Sequence, residues 1–212
     1  MRSGEFSILS PGSRATRTRI LEGAASVMAR AGLRATTVQD ILAEAEVSRR
    51  TFYVYFANKD EILQALYADV VHDLVEVVAA GIDSTEEAPD KIHNAVDAYL
   101  SFQVQGGALL IAMQTEAIRS DSALRELRCQ TLDQMVQVLS DSVTDTMSVT
   151  LDPMIFRALL LGIEGLVLHV QADGAFEGES RDRVSRVVKP LVAQVLSGAL
   201  YLPKAGPSEA GD

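Results

Sequence analysis

The chain has 212 residues and a mass of 22.8 kDa, room for one sizeable core or a core with a small appended module, without disulfide or metal staples. Hydrophobic residues make up 48% and charged residues 23%, which excludes an unstructured chain. The formal net charge is −10, and as an average it speaks against nucleic acid as the partner.

A single cysteine, Cys129, excludes an internal disulfide framework and a cysteine-based zinc site, and points to a reducing cytoplasm. The apolar stretch Phe6 to Leu9 is interrupted by Ser7 and is too short for a secretory leader. No window is expected to approach the ~18 apolar residues of a membrane span. A cytoplasmic protein without a membrane partner is the expectation.

In chain order, residues 1–13 are rich in Ser, Gly and Pro and read as a flexible arm. Ile20, Leu21, Ala24, Val27, Met28 and Ala31 then repeat on one helical face, and Gly32 follows as the natural C-terminal stop. Val38, Ile41, Leu42 and Ala45 mark a short second helix, capped by Thr36 or Thr37. Ser48 caps a third, with Phe52 and Phe56 on its apolar side, and Asn58 caps a long fourth helix ending near Gly81. After an acidic loop, the spacing predicts helices with Ile92, Val96, Tyr99 and Phe102, and from Ala108 to about Ile118, separated by a break at Gly106-Gly107. Asp121 or Ser122 starts the next helix. Asp152-Pro153, a cap followed by proline at the first helical position, opens another that is apolar nearly all round. The last carries Val184 to Leu196, and Pro190 is expected to kink or shorten it. No strand alternation or internal repeat appears. The fold class is all-α, with about nine helices.

The charge is uneven. Residues 1–63 hold nine Lys/Arg against seven Asp/Glu, a net of +2, whereas residues 64–212 hold ten against 22, a net of −12. Residues 47–59 carry Arg49, Arg50 and Lys59, with Tyr53 and Tyr55, and no acid.

Two short helices joined by Glu46-Val47-Ser48 have helix-turn-helix spacing. In such a motif the N-terminal residues of the second helix reach base edges in the major groove. Arg49 and Arg50 stand there, and arginine binds guanine O6 and N7 through paired hydrogen bonds. Thr51 suits a base or a thymine methyl. The hydroxyls of Tyr53 and Tyr55 suit phosphate oxygens, which fix register rather than sequence. Thr37 and Lys59 stand at helix starts, where anions are already favoured.

The stretches Gly32-Leu33-Arg34-Ala35-Thr36-Thr37-Val38-Gln39-Asp40-Ile41 and Ala45-Glu46-Val47-Ser48-Arg49-Arg50-Thr51-Phe52-Tyr53-Val54-Tyr55-Phe56-Ala57-Asn58-Lys59-Asp60-Glu61-Ile62-Leu63 resemble the TetR family of one-component bacterial regulators. The resemblance is specific over residues 16–66. It implies a three-helix DNA-binding domain at residues 14–63, an effector-binding and dimerisation domain at 64–202, and a flexible tail at 203–212. It also implies a homodimer that binds operator DNA and is usually released by a small ligand. By this resemblance Thr37, Gln39, Arg49, Arg50, Thr51, Tyr53, Tyr55 and Lys59 fall at DNA-contacting positions, and Ser48 at the recognition-helix cap. The family usually has glycine where Glu46 stands. A left-handed Glu46 would carry strain of roughly 1 kcal/mol.

Farther along, Tyr99, Phe102, Met113, Glu116, Met135 and His169 are candidates for lining an effector pocket, since methionine and aromatics suit adaptable apolar sites. For any one of these apolar residues, plain core is the simpler reading. Gly162, Gly165, Leu166, Val188, Val192 and Val195 are candidates for a two-fold interface built from residues 153–171 and 181–199, which would cover a helix apolar on all sides. Three scattered histidines have no metal spacing, so neither a metal nor a cofactor is expected. The resulting expectation is a ligand-responsive repressor of a palindromic operator, with a small apolar effector and no enzymatic activity. The alternatives are an all-α enzyme or carrier that keeps the helix-turn-helix as scaffold, or an activator without a small ligand. The enzyme reading lacks any catalytic motif such as H-E-x-x-H, a P-loop or G-x-S-x-G.

Overall fold

The computed structural model describes residues 11–85, 87–147 and 150–198, and the 203–212 tail lies outside them. It is all-α: α1 Pro11–Ala31, α2 Val38–Glu44, α3 Arg49–Tyr55, α4 Lys59–Asp83, α5 Ala88–Ala117, α6 Arg125–Met147, α7 Pro153–Asp173 and α8 Glu179–Gly198. Eight helices rather than nine are seen among the described residues, and Gly106-Gly107 explains the difference. Gly107 takes φ 53°, ψ −150°, so the chain bends there inside α5. The expected break is a kink, not a loop.

Local signals set most boundaries. Gly32 ends α1 at φ 89°, and its N–H donates to the Met28 carbonyl at 2.9 Å. Thr37, not Thr36, caps α2. Thr36 is buried and donates its hydroxyl to the Gly32 carbonyl at 2.8 Å. Asn58 Oδ1 accepts from the Glu61 N–H at the start of α4, and Asp152 Oδ1 accepts from the Met154 N–H at the start of α7. Ser122 closes a turn ahead of α6, which begins three residues later than expected. Pro190 does not shorten α8. It lies on the exposed side, and Arg186, whose carbonyl loses its helical partner, is exposed as well. The start of α1 is earlier than expected: residues 11–13, read as part of a flexible arm, are helical. Residues 1–10 of that arm lie outside the described residues.

The contacts divide the chain into two compact units. The first holds residues 1–73 and 106–129, so residues 64–73 and 106–129 group with the N-terminal helices. Its core gathers Ile20, Ala24 and Met28 of α1, Ile41 of α2, Phe52 of α3 and Ile62 of α4 around Met113 and Leu124. Gly23 lets α1 and α2 touch: a Cβ there would meet the Ala45 backbone nitrogen at 3.0 Å. The second unit holds residues 74–105 and 130–212. Its core joins Val96 and Leu100 of α5, Phe156 and Val167 of α7, and Val184, Val188 and Val192 of α8. Asp97 of α5 pairs with both Arg181 and Lys189 of α8.

α7 is more exposed than a core helix. It is long and apolar enough to cross a membrane by length and composition, with mean hydropathy 1.6, and only 11% of that window is buried within the chain. That exceeds the expectation for any window of the sequence.

Candidate nucleic-acid interface and apolar chamber

The helix-turn-helix is built from short-range contacts. Thr37 and Asp40 form a reciprocal capping box. The Thr37 N–H and hydroxyl donate to Asp40 Oδ2 at 2.9 and 2.7 Å, and Thr37 Oγ1 accepts from the Asp40 N–H. The Thr37 hydroxyl bond, then its backbone bond, hold the Asp40 carboxyl below its ordinary range. Glu44 at the other end of α2 is likewise lowered, by bonds from the Ser26 hydroxyl and the Arg30 guanidinium of α1. Glu46 occupies the turn at φ 52°, the left-handed conformation that favours glycine. Ser48 then caps α3, its Oγ accepting from the Thr51 N–H at 3.0 Å and sharing a 2.8 Å bond with Thr51 Oγ1.

α3 has two faces. Phe52 is fully buried, and Tyr55 is half-buried with its hydroxyl 3.0 Å from Ser13 Oγ of α1. Arg49, Arg50, Tyr53 and Val54 are exposed. Arg49 donates to Gln39 Oε1 of α2 at 3.4 Å, so the two helices present a joined polar edge. The Tyr53 ring stands edge-on to Phe52 at 5.3 Å, which fixes its direction. Val54, 72% exposed, was not singled out by sequence reasoning, although helical spacing from Arg50 puts it on this face. An exposed isopropyl group beside two guanidiniums suits a thymine methyl next to guanine.

Lys59 is placed differently from the phosphate contact its position suggested. Its Nζ donates to the carbonyls of Leu33, Arg34 and Thr36 at 3.0, 3.2 and 2.9 Å. All three ammonium donors thus brace the loop ahead of α2. Thr37 and Tyr55 also have internal partners, leaving Arg49, Arg50 and Tyr53 as the most outward of the expected contacts.

In the second unit α4 to α8 enclose an apolar chamber. Its empty space, counting the open mouth, is about 880 Å³. Of the six expected pocket residues, Tyr99 and Met135 line it. The other four do not. Met113 is fully buried in the core of the first unit. Glu116 takes two hydrogen bonds from Arg34, at 3.2 and 3.3 Å, a pairing that raises the Arg34 pKa above its ordinary value. Phe102 is half-buried away from the chamber, and His169 is exposed. Sequence reasoning missed Phe156, Leu159, Leu160 and Ile163 of α7, which looked like ordinary core. It also missed Lys91, the one charged residue of the lining.

The expected interface residues split. Gly162 and Gly165 are exposed, and a Cβ at either would meet nothing within 4 Å among the described residues. Leu166 and Val195 are half-buried. Val188 and Val192 face inward, and Val192 lines the chamber. The exposed apolar residues of α8 are instead their neighbours, Val187 and Leu191, at 53% and 54%. Among the described residues no three His, Cys, Asp or Glu side chains group as a metal site.

Residues 20–66, which span the end of the first core helix, the capped helix pair and the braced loop, match the model for bacterial regulatory proteins of the tetR family. Over this segment the chain is similar to the tetR family. It is 37% identical over 102 residues to the transcriptional repressor KstR2 of Rhodococcus jostii, covering 42% of this chain and 50% of that one. It is 26% identical over 127 residues to the fatty acid metabolism regulator protein of Bacillus subtilis, covering 60% and 66%. The matches thus span half to about two-thirds of these relatives. The fold is similar to that of a solved TetR-family transcriptional regulator from Syntrophomonas wolfei, with TM-score 0.72 at 17% identity over 90% of this chain and 99% of the other. It is similar also to FadR of Bacillus subtilis in complex with stearoyl-CoA, with TM-score 0.67 at 21% identity over 85% and 98%.

Proposed function

We propose that the protein is a ligand-responsive transcriptional repressor that binds a near-palindromic operator as a homodimer. The observation that carries this reading is the outward face of α3, where Arg49, Arg50, Tyr53 and Val54 stand together on a helix capped at its base-reading end. Two such helices, one per subunit, would enter major grooves about 34–36 Å apart or at multiples of that spacing. The names of the relatives, a repressor and a metabolic regulator, support the same class.

The dimer is supported by an apolar surface with no cover among the described residues. Leu161, Gly162 and Gly165 of α7 are exposed, as are Val187 and Leu191 of α8. Glycines with open space around them allow a partner helix to approach closely. A four-helix contact would remove from water the α7 surface that otherwise resembles a membrane span. Val187 and Leu191 take the places first assigned to Val188 and Val192. Sedimentation at micromolar concentration is expected to show a dimer, and a stable monomer would refute the contact.

The chamber is the proposed effector site, and a small, largely apolar molecule is its expected occupant. To release DNA it must bind the DNA-free state more tightly than the DNA-competent one. A coupling of about 1–3 kcal/mol is typical. The deciding experiment is a gel-shift assay on DNA upstream of the protein's own coding region, with and without apolar effectors. A specific shifted band weakened by an effector is expected; no specific band would overturn the reading.

A further inference from the structure

Apart from the Tyr99 phenol, the polar groups of the chamber are not scattered around its wall. Lys91 belongs to the first turn of α5, while Ser142 and Thr146 lie one helical turn apart at the end of α6. Tyr99 of α5 packs in one cluster with Met135 and Leu139 of α6, while Ile92, earlier in α5, and Val143, later in α6, pack in the cluster around Val96 and Val192. Earlier positions of α5 thus lie beside later positions of α6, which puts Lys91 at the end of Ser142 and Thr146. Toward the other end, the wall turns to Tyr99, Met135, Leu139 and Leu160. Lys91 is half-buried and in no ion pair among the described residues. Thr146 Oγ1 is buried there without a hydrogen-bond partner. A cation and an orphan hydroxyl at one end of an apolar slot make an incomplete polar site, since buried polar groups are normally paired.

We infer that the chamber takes an amphipathic anion, its apolar chain among the α6 and α7 side chains and its oxygen-rich anionic head at Lys91 and Thr146. This inference rests on the chamber being the effector site. A carboxylate accepts from both ammonium and hydroxyl, whereas a neutral hydrocarbon leaves both unpaired and loses affinity accordingly. The shared chemistry has two sources, a free fatty acid and an acyl thioester of coenzyme A.

The test is isothermal titration of the full-length protein with dodecanoate, dodecanoyl-coenzyme A and dodecan-1-ol, each below its aggregation concentration. The wild type is expected to bind at least one of the anions about tenfold or more tighter than the alcohol. Lys91→Met is expected to erase that preference by weakening the anions far more than the alcohol. Leu160→Trp, which fills the slot, is expected to abolish binding of all three. Leu160→Phe replaces it if the tryptophan variant loses its helical circular dichroism. Binding by the free acid alone, or by the thioester alone, identifies the source and supports the inference. Equal affinity for alcohol and anions, or an unchanged preference in Lys91→Met, overturns the anionic head while leaving the chamber intact if Leu160→Trp still blocks binding. Undiminished binding to the filled variant overturns the chamber itself, and failure of all three molecules to bind overturns the amphiphile.

Discussion

The helix-turn-helix and the chamber are built on different length scales. In the former, the helix caps are held by partners a few residues away, Thr37 by Asp40 and Ser48 by Thr51, while Tyr55 and Lys59 reach partners far along the chain. In the chamber, the lining comes from five helices spread between Val78 and Leu196, and no short segment contains it. A helix pair capped by local contacts is specified residue by residue. A chamber made by convergence is specified only as a sum of apolar faces, and it tolerates exchange among them.

If that contrast is right, single changes in the helix-turn-helix should have assignable effects. The largest is expected for Phe52→Ala, which empties a fully buried site in the first unit and should cost about 3–5 kcal/mol in urea unfolding followed by circular dichroism. A much smaller loss would mean that the short helices do not depend on that core. Lys59→Ala should cost about 1.5–3 kcal/mol of stability by removing three charge-assisted bonds, with the salt dependence of DNA binding unchanged. A salt slope flatter by about one unit would instead return Lys59 to phosphate contact. Arg49→Ala should weaken operator binding by about 1–3 kcal/mol and relax preference at one base pair. Unaltered affinity in a filter-binding titration would remove it from the reading surface. Glu46→Gly should stabilise by roughly 1 kcal/mol, because glycine accepts the positive φ without strain. A lower melting temperature would show that the Glu46 side chain contributes more than its backbone costs. The smallest effect is expected from Asp40→Asn, and it is confined by pH. The Asp40 carboxyl is lowered in the folded state, so its contribution is full above the ordinary aspartate value of about 3.9 and lost as pH falls through the depressed folded value. The melting temperatures of wild type and variant should therefore differ at neutral pH and converge in acid.

The same difference in scale governs what the sequence revealed. Caps at Thr37, Ser48, Asn58 and Asp152 and the stop at Gly32 were legible because each needs only a side chain and a backbone group a few positions apart. The loop bracing by Lys59 was not legible because its partners, the carbonyls around Arg34, are more than twenty residues away and leave no trace in local pattern. Met113 and Met135 look alike in sequence, yet one lies in a packed core and the other on the chamber wall, because partners from distant helices decide the surroundings of each. Val188 and Val192 were displaced by one position from the exposed residues Val187 and Leu191, since a valine-rich helix does not declare which of its stripes faces inward.

The three carbonyls gathered by Lys59 make this amine a chemical reporter. An amine can attack an acylating reagent only when it is free of such bonds, so its labelling rate measures how often the loop between Leu33 and Thr36 lets go. Exposed lysines have no such gate. Timed acylation read by peptide mass would follow the loosening of the segment that sets α2, and slow labelling at Lys59 that quickens on mild warming would mark it as among the first pieces of the helix-turn-helix to open.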